Sequence, residues 1–328
     1  MKARKKRFAA HVAVSTGGVL SVNPALAPES AEQLAARADL FFRAFREMGY
    51  VAMNVGSHDL VAGVSTLRQA ARRHRLPLLS SSIVERESGK LVFAPAKVVR
   101  VGKLRIGFVG VLGTQPIGYD KALRDQQLDV RPLDVAVREG VAAAKAEGAQ
   151  VIVLLSQLKR LEVDRAVAAA PEVDVVIGTD GFGMSTELEL ADPALFVDTF
   201  SKGKFVGELR LSPGSDPTRW QAADRSAAIR AEIGGLQSRI ESARNMLAEH
   251  QKRPLPEATR GYLETDLARL KARVARLQQE LEGGGVKADG AGRMAFTAHP
   301  IDKTIEDDRK IAGWVARYKA KYPSEPGH

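Results

Sequence analysis

The chain has 328 residues, 45% of them hydrophobic, a formal net charge of +10 and no cysteine. That length suits one large α/β domain with an appendage, or two domains. The composition excludes disulfides, thiolate zinc sites and cysteine nucleophiles within the chain, and no apolar run reaches the ~20 residues of a membrane-spanning helix.

Five basic residues (Lys2, Arg4, Lys5, Lys6, Arg7) fall in the first seven positions, so the remainder is only mildly basic. Charge of this kind reads first as a solvated tail and second as a contact for nucleic acid or an anionic membrane. The N-terminus supports two readings. Met1–Arg7, the moderately apolar Phe8–Val22 and the small-residue site Ala25-Leu26-Ala27 follow the grammar of a signal peptide, which implies an exported or periplasmic protein. Alternatively, His11–Val14 is a strand leading into a glycine turn, which is compatible with a cytoplasmic chain.

Glu32–Met48 is predicted helical, with Leu34, Phe41, Phe42, Phe45 and Met48 near helical spacing and Gly49 as its stop. Tyr50–Val55 reads as a short strand and Val61–His74 as a helix with a basic C-terminal end. Leu76–Ile83 is a strand with Pro77 at its entry. Leu91–Val101 and Lys103–Leu112 are paired strands joined at Gly102. Val135–Glu147 is a helix ended by Gly148. The apolar run Val151–Leu155 suits a strand covered on both faces. Leu161–Ala170 is a helix stopped by Pro171, Val173–Ile177 another buried strand, and Phe196–Phe200 and Phe205–Leu211 are closing strands. Alternation of strands and helices predicts a layered α/β fold. In such sheets the loops at the strands' carboxyl ends carry sites, which here are Gly56–Leu60, Ser156–Lys159 and Gly178–Gly183.

The pattern changes at Leu211-Ser212-Pro213-Gly214. Ile229, Ile233, Leu236, Ile240, Ala243 and Leu247 recur at heptad-like spacing, and so do Leu263, Leu267, Leu270, Val274, Leu277 and Leu281. Pro254 and Pro256 separate the two arms, which predicts an antiparallel helical hairpin. Gly283-Gly284-Gly285 ends the second arm. Ala288–Gly292 reads as a linker, Thr297–Ile301 as a return strand and Ile305–Tyr322 as an amphipathic helix before the tail Pro323–His328. The predicted organisation is therefore a basic N-terminus over 1–27, an α/β domain over 28–214, a hairpin over 219–284, and a linker, helix and tail over 285–328. The polar faces of the arms carry both signs: Lys271, Arg273 and Arg276 beside Glu264, Asp266, Glu280 and Glu282. That favours a packed hairpin or a self-association or protein-partner surface over a nucleic-acid or membrane element.

Several segments together resemble the 5'-nucleotidase branch of the metallophosphoesterases. They are Met48–Asp59, which ends in Gly56-Ser57-His58-Asp59 where that family has Gly-Asn-His-Glu, then Leu76–Ile83, Lys103–Val111, Val151–Gln157, Val173–Gly178 and Lys204–Leu211. Order and spacing agree from Ser15 to Leu211. The resemblance implies a metallophosphoesterase-like α/β sandwich with the helical hairpin inserted. It also implies a two-metal site whose ions clamp the attacking and leaving oxygens.

The ligand positions depart from that pattern. No Asp-x-His pair precedes Ser15, so the family's first strand is expected to be missing. The bridging Asp falls on Gly18 and the Asn ligand on Ser57. The His of the strand-end motif falls on Gln157, and the two His of the Gly-Gly-His-x-His motif fall on Asp180 and Phe182. The Asp that orients the catalytic His falls on Val61. His58 survives as a relic general acid with Asp59 beside it, and Asp180, Gln157 and Ser57 are weak candidates for metal coordination. Gly178–Gly183 could offer N–H groups to an anion but lacks the Lys-Ser/Thr of a P-loop. His11, His74, His250, His299 and His328 show no metal spacing, and Trp220, Trp314 and Tyr318 read as docking or core contacts. The expectation is a degenerate nucleotidase-like domain with no resident cofactor, acting in binding or assembly, with a small phosphorylated ligand as a candidate. The alternatives are a phosphohydrolase using divalent metal ions and, resting on charge alone, a nucleic-acid-binding module.

Overall fold

The computed structural model describes residues 10–20, 30–113, 120–178, 185, 188–191, 193–199, 203–249, 257–282, 290–302 and 304–323. The chain forms two compact units. One comprises residues 1–184, 191–206 and 300–328, the other 185–190 and 207–299.

The first unit begins with β1 (Ala13–Ser15), α1 (Ala31–Met48), β2 (Tyr50–Asn54), the one-turn α2 (Ser57–Leu60), α3 (Val64–His74), β3 (Leu78–Leu79) and β4 (Ile83–Glu85). Helix α1 starts where the Ser30 hydroxyl accepts from the Gln33 N–H and ends at Gly49, whose φ of 82° is left-handed. These are the side-chain cap and glycine stop that satisfy orphan backbone groups. Strands β1, β2 and β3 form a parallel sheet in that order. β1 lies where strand and leader were competing readings, and it forms one edge of this sheet. The predicted helix Val61–His74 starts three residues late, because Gly63 at φ 84° interrupts it. The predicted strand Leu76–Ile83 is broken in the middle. The Ser80 hydroxyl accepts from the N–H groups of Ser82 and Ile83, and the Ser82 hydroxyl accepts from the Leu112 N–H, so side chains replace the ladder there.

The unit continues through β5 (Ala96–Val101), β6 (Leu104–Leu112), α4 (Asp120–Asp125), β7 (Leu128–Val130), α5 (Leu133–Ala146), β8 (Val151–Gln157), α6 (Arg160–Ala169) and β9 (Val175–Gly178). After β10 (Glu189–Ala191) comes β11 (Ala194–Asp198). The main sheet runs β11-β9-β8-β6-β5. β11, β9, β8 and β6 are parallel, and β5 closes the edge antiparallel to β6. β5 starts later than the predicted Leu91, because Pro95 has no N–H for a ladder. Helix α5 starts earlier than predicted, at Leu133, with Pro132 as the residue before its first turn. β4 and β7 form a separate antiparallel ribbon.

Two apolar cores follow. In one, Val109, Val111, Ile152, Leu154 and Val176 of the main sheet pack with Val137, Val141 and Ala144 of α5 and with Val163 and Val167 of α6. In the other, Phe42, Phe45, Leu67 and Ala70 of α1 and α3 cover Met53, Leu78 and Leu20.

The second unit holds most of β12 (Phe205–Ser212), then β13 (Asp216–Ala222), α7 (Arg225–Glu249), α8 (Glu257–Glu282) and β14 (Ala291–Pro300). The strands form a sheet in the order β12-β14-β13, with β13 and β14 parallel. Pro213-Gly214 is therefore a turn inside a sheet. At Gly214 a side chain would collide with the backbone carbonyl of Gly290. The segment read as a linker already contains the start of β14 at Ala291. The heptad arms pack on each other: Ile229, Leu236, Ile240 and Ala243 are buried, as are Leu267, Leu270 and Leu277. Arg225 pairs with Glu280 and Arg273 with Glu232, a register that makes the arms antiparallel.

The chain ends with α9 (Arg309–Lys321) in the first unit. It starts at Arg309 because the Asp308 carboxylate accepts from the N–H groups of Lys310 and Ile311.

Candidate functional site

The carboxyl ends of β1, β2 and β8 bring three distant segments together: Thr16–Leu20, Val55–Asp59 and Ser156–Leu158. Gly17 and Gly18 have φ of 86° and 74°, which turns the chain tightly after β1. The turn is held from below. The Asn54 side-chain amide donates to the Thr16 carbonyl at 3.1 Å and to the Val111 carbonyl at 3.0 Å, tying the turn to both sheets.

The turn presents consecutive N–H groups to one side, and Asp59 fills that concavity. Its Oδ2 accepts from the N–H of Gly18 at 2.7 Å and of Gly56 at 2.9 Å, and its Oδ1 accepts from the N–H of Val19 at 2.9 Å. The Leu20 N–H adds a fourth donor. Asp59 is fully buried. Burial raises its pKa above the ordinary carboxylate value, and the four backbone donors pull the other way. An arrangement of successive N–H groups of this kind is an anion-binding nest, here occupied by a carboxylate of the same chain.

Gln157 stands on the opposite side of the turn. Its Oε1 accepts from the Ser57 N–H at 3.3 Å. Its amide lies directly against the Cα atoms of Gly18 and Gly56, so that a side chain at either position would collide with Gln157. The Gln157 carbonyl accepts from the Gly113 N–H at 3.1 Å. An uncharged amide thus wedges between the two glycine-bearing loops. Ser57 is buried and His58 half-buried.

The predicted candidates therefore separate. Ser57, His58, Asp59 and Gln157 lie together at one corner of the fold. Asp59 turns inward as a brace and takes no place among outward-facing acids. Asp180 and Phe182, with the turn that carries them, lie outside the described residues. Among the described residues, no three His, Asp or Glu side chains form a metal-holding group. A dinuclear centre needs several carboxylate and imidazole donors turned toward the ions. Among the described residues, the donors at this corner are a hydroxyl, one imidazole and an amide already bonded to backbone, and that set by itself does not fit such a centre. Two features escaped sequence reasoning. The Gly56-x-x-Asp59 capping pattern was visible in principle, since the carboxylate three residues on returns to the Gly56 N–H. The Gln157 wedge carried no local signal.

These segments are similar in sequence to parts of several nucleotide phosphoesterases. No protein-family model matches the sequence. The trifunctional nucleotide phosphoesterase protein YfkN of Bacillus subtilis is 23% identical over 258 residues, covering 69% of this chain and 18% of that protein. The 2',3'-cyclic-nucleotide 2'-phosphodiesterase/3'-nucleotidase of Yersinia enterocolitica is 24% identical over 123 residues, 35% of this chain and 19% of that protein. Protein UshA of Escherichia coli is 31% identical over 97 residues, 29% of this chain and 18% of that protein. The matches thus span less than a fifth of these relatives' own lengths. Among solved structures, a 5'-nucleotidase precursor from Thermus thermophilus aligns with a TM-score of 0.48 and 21% identity, covering 66% of this chain and 44% of that one. The calcineurin-like phosphoesterase YfkN of Bacillus subtilis aligns with 0.48 and 17%, covering 63% and 72%.

Proposed function

We propose that this chain is a nucleotidase-type phosphoesterase domain that has exchanged metal-dependent hydrolysis for a role in binding or assembly. The observation that carries this reading is the pair of substitutes at the corner of the fold. The Asp59 carboxylate fills the backbone nest, and the Gln157 amide fills the space beside Gly18 and Gly56. Losing members of a catalytic unit costs far more than a proportional share of rate. A small phosphorylated ligand remains the natural candidate for the half-buried His58, which can donate to a phosphate oxygen. The buried heptad stripe is used within the hairpin, so assembly through α7 and α8 would use their charged outer faces.

The second reading is a phosphohydrolase for nucleotides or related phosphoesters that uses divalent ions. The relatives' names favour it, since several are nucleotide phosphoesterases. One experiment separates the two. The purified chain is equilibrated with Mn²⁺, Zn²⁺ or Ca²⁺, dialysed, and assayed for bound metal and for turnover of AMP and of a generic phosphodiester. The first reading expects substoichiometric metal and no turnover. Stoichiometric metal together with turnover abolished by His58→Ala overturns it in favour of the second. Fractionation of expressing cells tests the exported location that the N-terminal sequence suggests.

A further inference from the structure

The glycine turn is tied to the far end of the chain. Leu20 closes the turn whose N–H groups hold Asp59, and its carbonyl accepts from Arg37 Nη1 of α1 at 2.9 Å. Arg37 Nε donates to the hydroxyl of Tyr318 on α9 at 3.2 Å, and the guanidinium also lies 6.0 Å from the centre of that ring. One side chain therefore bridges the C-terminal helix and the candidate site.

Several polar contacts cross the seam between α1 and α9. Lys310 pairs with Glu47 at 2.6 Å, Lys321 pairs with Glu32 at 2.7 Å, and the Tyr322 hydroxyl donates to Glu32 at 2.9 Å. Arg43 stacks over Trp314 at 3.9 Å. Trp314 is the one large apolar side chain of α9 that is buried. A groove of about 140 Å³ stays open along the seam, lined by Leu40, Arg43, Trp314 and Arg317 among others. Exposed ion pairs are individually weak and screened by salt. Segments with few buried apolar contacts open locally at a fraction of the global unfolding free energy.

We propose that α9 is a detachable strap that positions the glycine turn of the site, with Arg37 as the positioning residue that couples the two. When α9 is docked, Tyr318 holds the Arg37 fork in the orientation that clamps the Leu20 carbonyl. When α9 lifts, Arg37 loses that partner and the N–H nest around Asp59 loosens. The strap thereby regulates how well ordered the corner carrying Ser57 and His58 is. This coupling stands whether or not the corner hydrolyses anything.

Amide hydrogen exchange on the full chain tests it without any activity assay. Arg37→Met removes a charge-assisted hydrogen bond, so exchange at Gly18, Val19 and Leu20 is expected to accelerate about tenfold or more. Tyr318→Phe keeps the ring and removes only the hydroxyl, and should accelerate the same amides by a smaller factor. In both variants the amides of β6 and β8 should exchange as in the unaltered chain. Raising the salt from about 0.15 to about 1 M should speed exchange across α9 and the glycine turn together. Unchanged exchange at Gly18–Leu20 in Arg37→Met overturns the proposal. So does acceleration spread equally over β6 and β8, which would mark a general loss of stability.

Discussion

Replacing Gly17 by alanine probes the turn that builds the site, and a second glycine supplies the reference. Gly17 at φ 86° and Gly89 at φ 64° both adopt left-handed backbone. Alanine at either position incurs about 1–2 kcal/mol for that conformation, and part is returned because alanine restricts the unfolded chain by about 0.4–1 kcal/mol. At Gly89 nothing lies within 4 Å of the new Cβ, so Gly89→Ala should cost about 0–1.6 kcal/mol. At Gly17 the new Cβ would overlap the Asn54 carbonyl oxygen and stand 3.0 Å from both the Asn54 carbonyl carbon and the Gly56 N–H nitrogen. All three are backbone atoms at the carboxyl end of β2, so no side chain can rotate away. Overpacking of this kind adds about 1–3 kcal/mol, which puts Gly17→Ala at about 1–5 kcal/mol in all. Urea unfolding of both variants at pH 7, with equal slopes, measures the difference. If Gly17→Ala costs no more than Gly89→Ala, the close approach of the turn to β2 is wrong, and the nest built on it falls with it.

Three further outcomes are expected. Asp174 is half-buried, accepts from the Ile152 N–H at 2.8 Å, and has its pKa pushed up to about 7 by burial, so the folded state keeps a proton that the unfolded chain releases near pH 4. Its stabilising contribution is complete below about pH 4 and is lost as pH rises to about 7, by at most about 4 kcal/mol and less with residual solvent contact. Asp174→Asn should therefore flatten stability over that window and exceed the parent at pH 8; an unchanged slope refutes the assignment. Arg273→Met leaves the buried Glu232 without its guanidinium and should cost about 3–5 kcal/mol, whereas adding Glu232→Leu recovers most of it, both read by thermal unfolding. Gln157→Ala removes the wedge between the glycine loops and should destabilise by about 1–3 kcal/mol, chiefly through the Ser57 N–H it leaves unmatched, while the conservative Gln157→Glu keeps an acceptor there and should cost less at acidic pH than at neutral pH.

The main sheet was legible because its strands announce themselves. Val151–Leu155 is continuously apolar, as a strand covered on both faces must be, and it forms the larger part of β8. The second sheet was half-read. Asp216–Ala222 contains Pro217 and alternates weakly, so the first half of β13 passed for a connection and its second half, from Arg219, for the start of the hairpin, while the Pro213-Gly214 turn passed for a domain boundary. The hairpin arms were legible from heptad spacing, and the same residues, Ile229, Leu236, Leu270 and Leu277, are the buried ones. At the site, the sequence placed Ser57, His58 and Gln157 by their order along parallel strands. It could not reveal that Asp59 faces inward. That depends on N–H groups some 40 positions away, whose direction is set by the dihedral angles of Gly17 and Gly18. Gln157 lies 100 positions from Ser57, and no local pattern encodes that meeting.

The helical hairpin also bears on the order in which the second unit folds. β13 ends at Ala222 and its parallel neighbour β14 begins at Ala291, so sixty-eight residues must be looped out before the two strands can pair. An antiparallel hairpin returns its second arm to where the first began, which leaves only ten of those residues outside the hairpin that runs from Arg225 to Glu282. If the hairpin forms first, the entropy of closing the loop falls by about 1.7 kcal/mol. Its contacts are local in sequence and the elementary steps of helix formation take microseconds or less, so it is suited to form before the sheet. The arms then act as a folding staple, and substitutions at their interface should slow the pairing of β13 with β14 even though they touch neither strand.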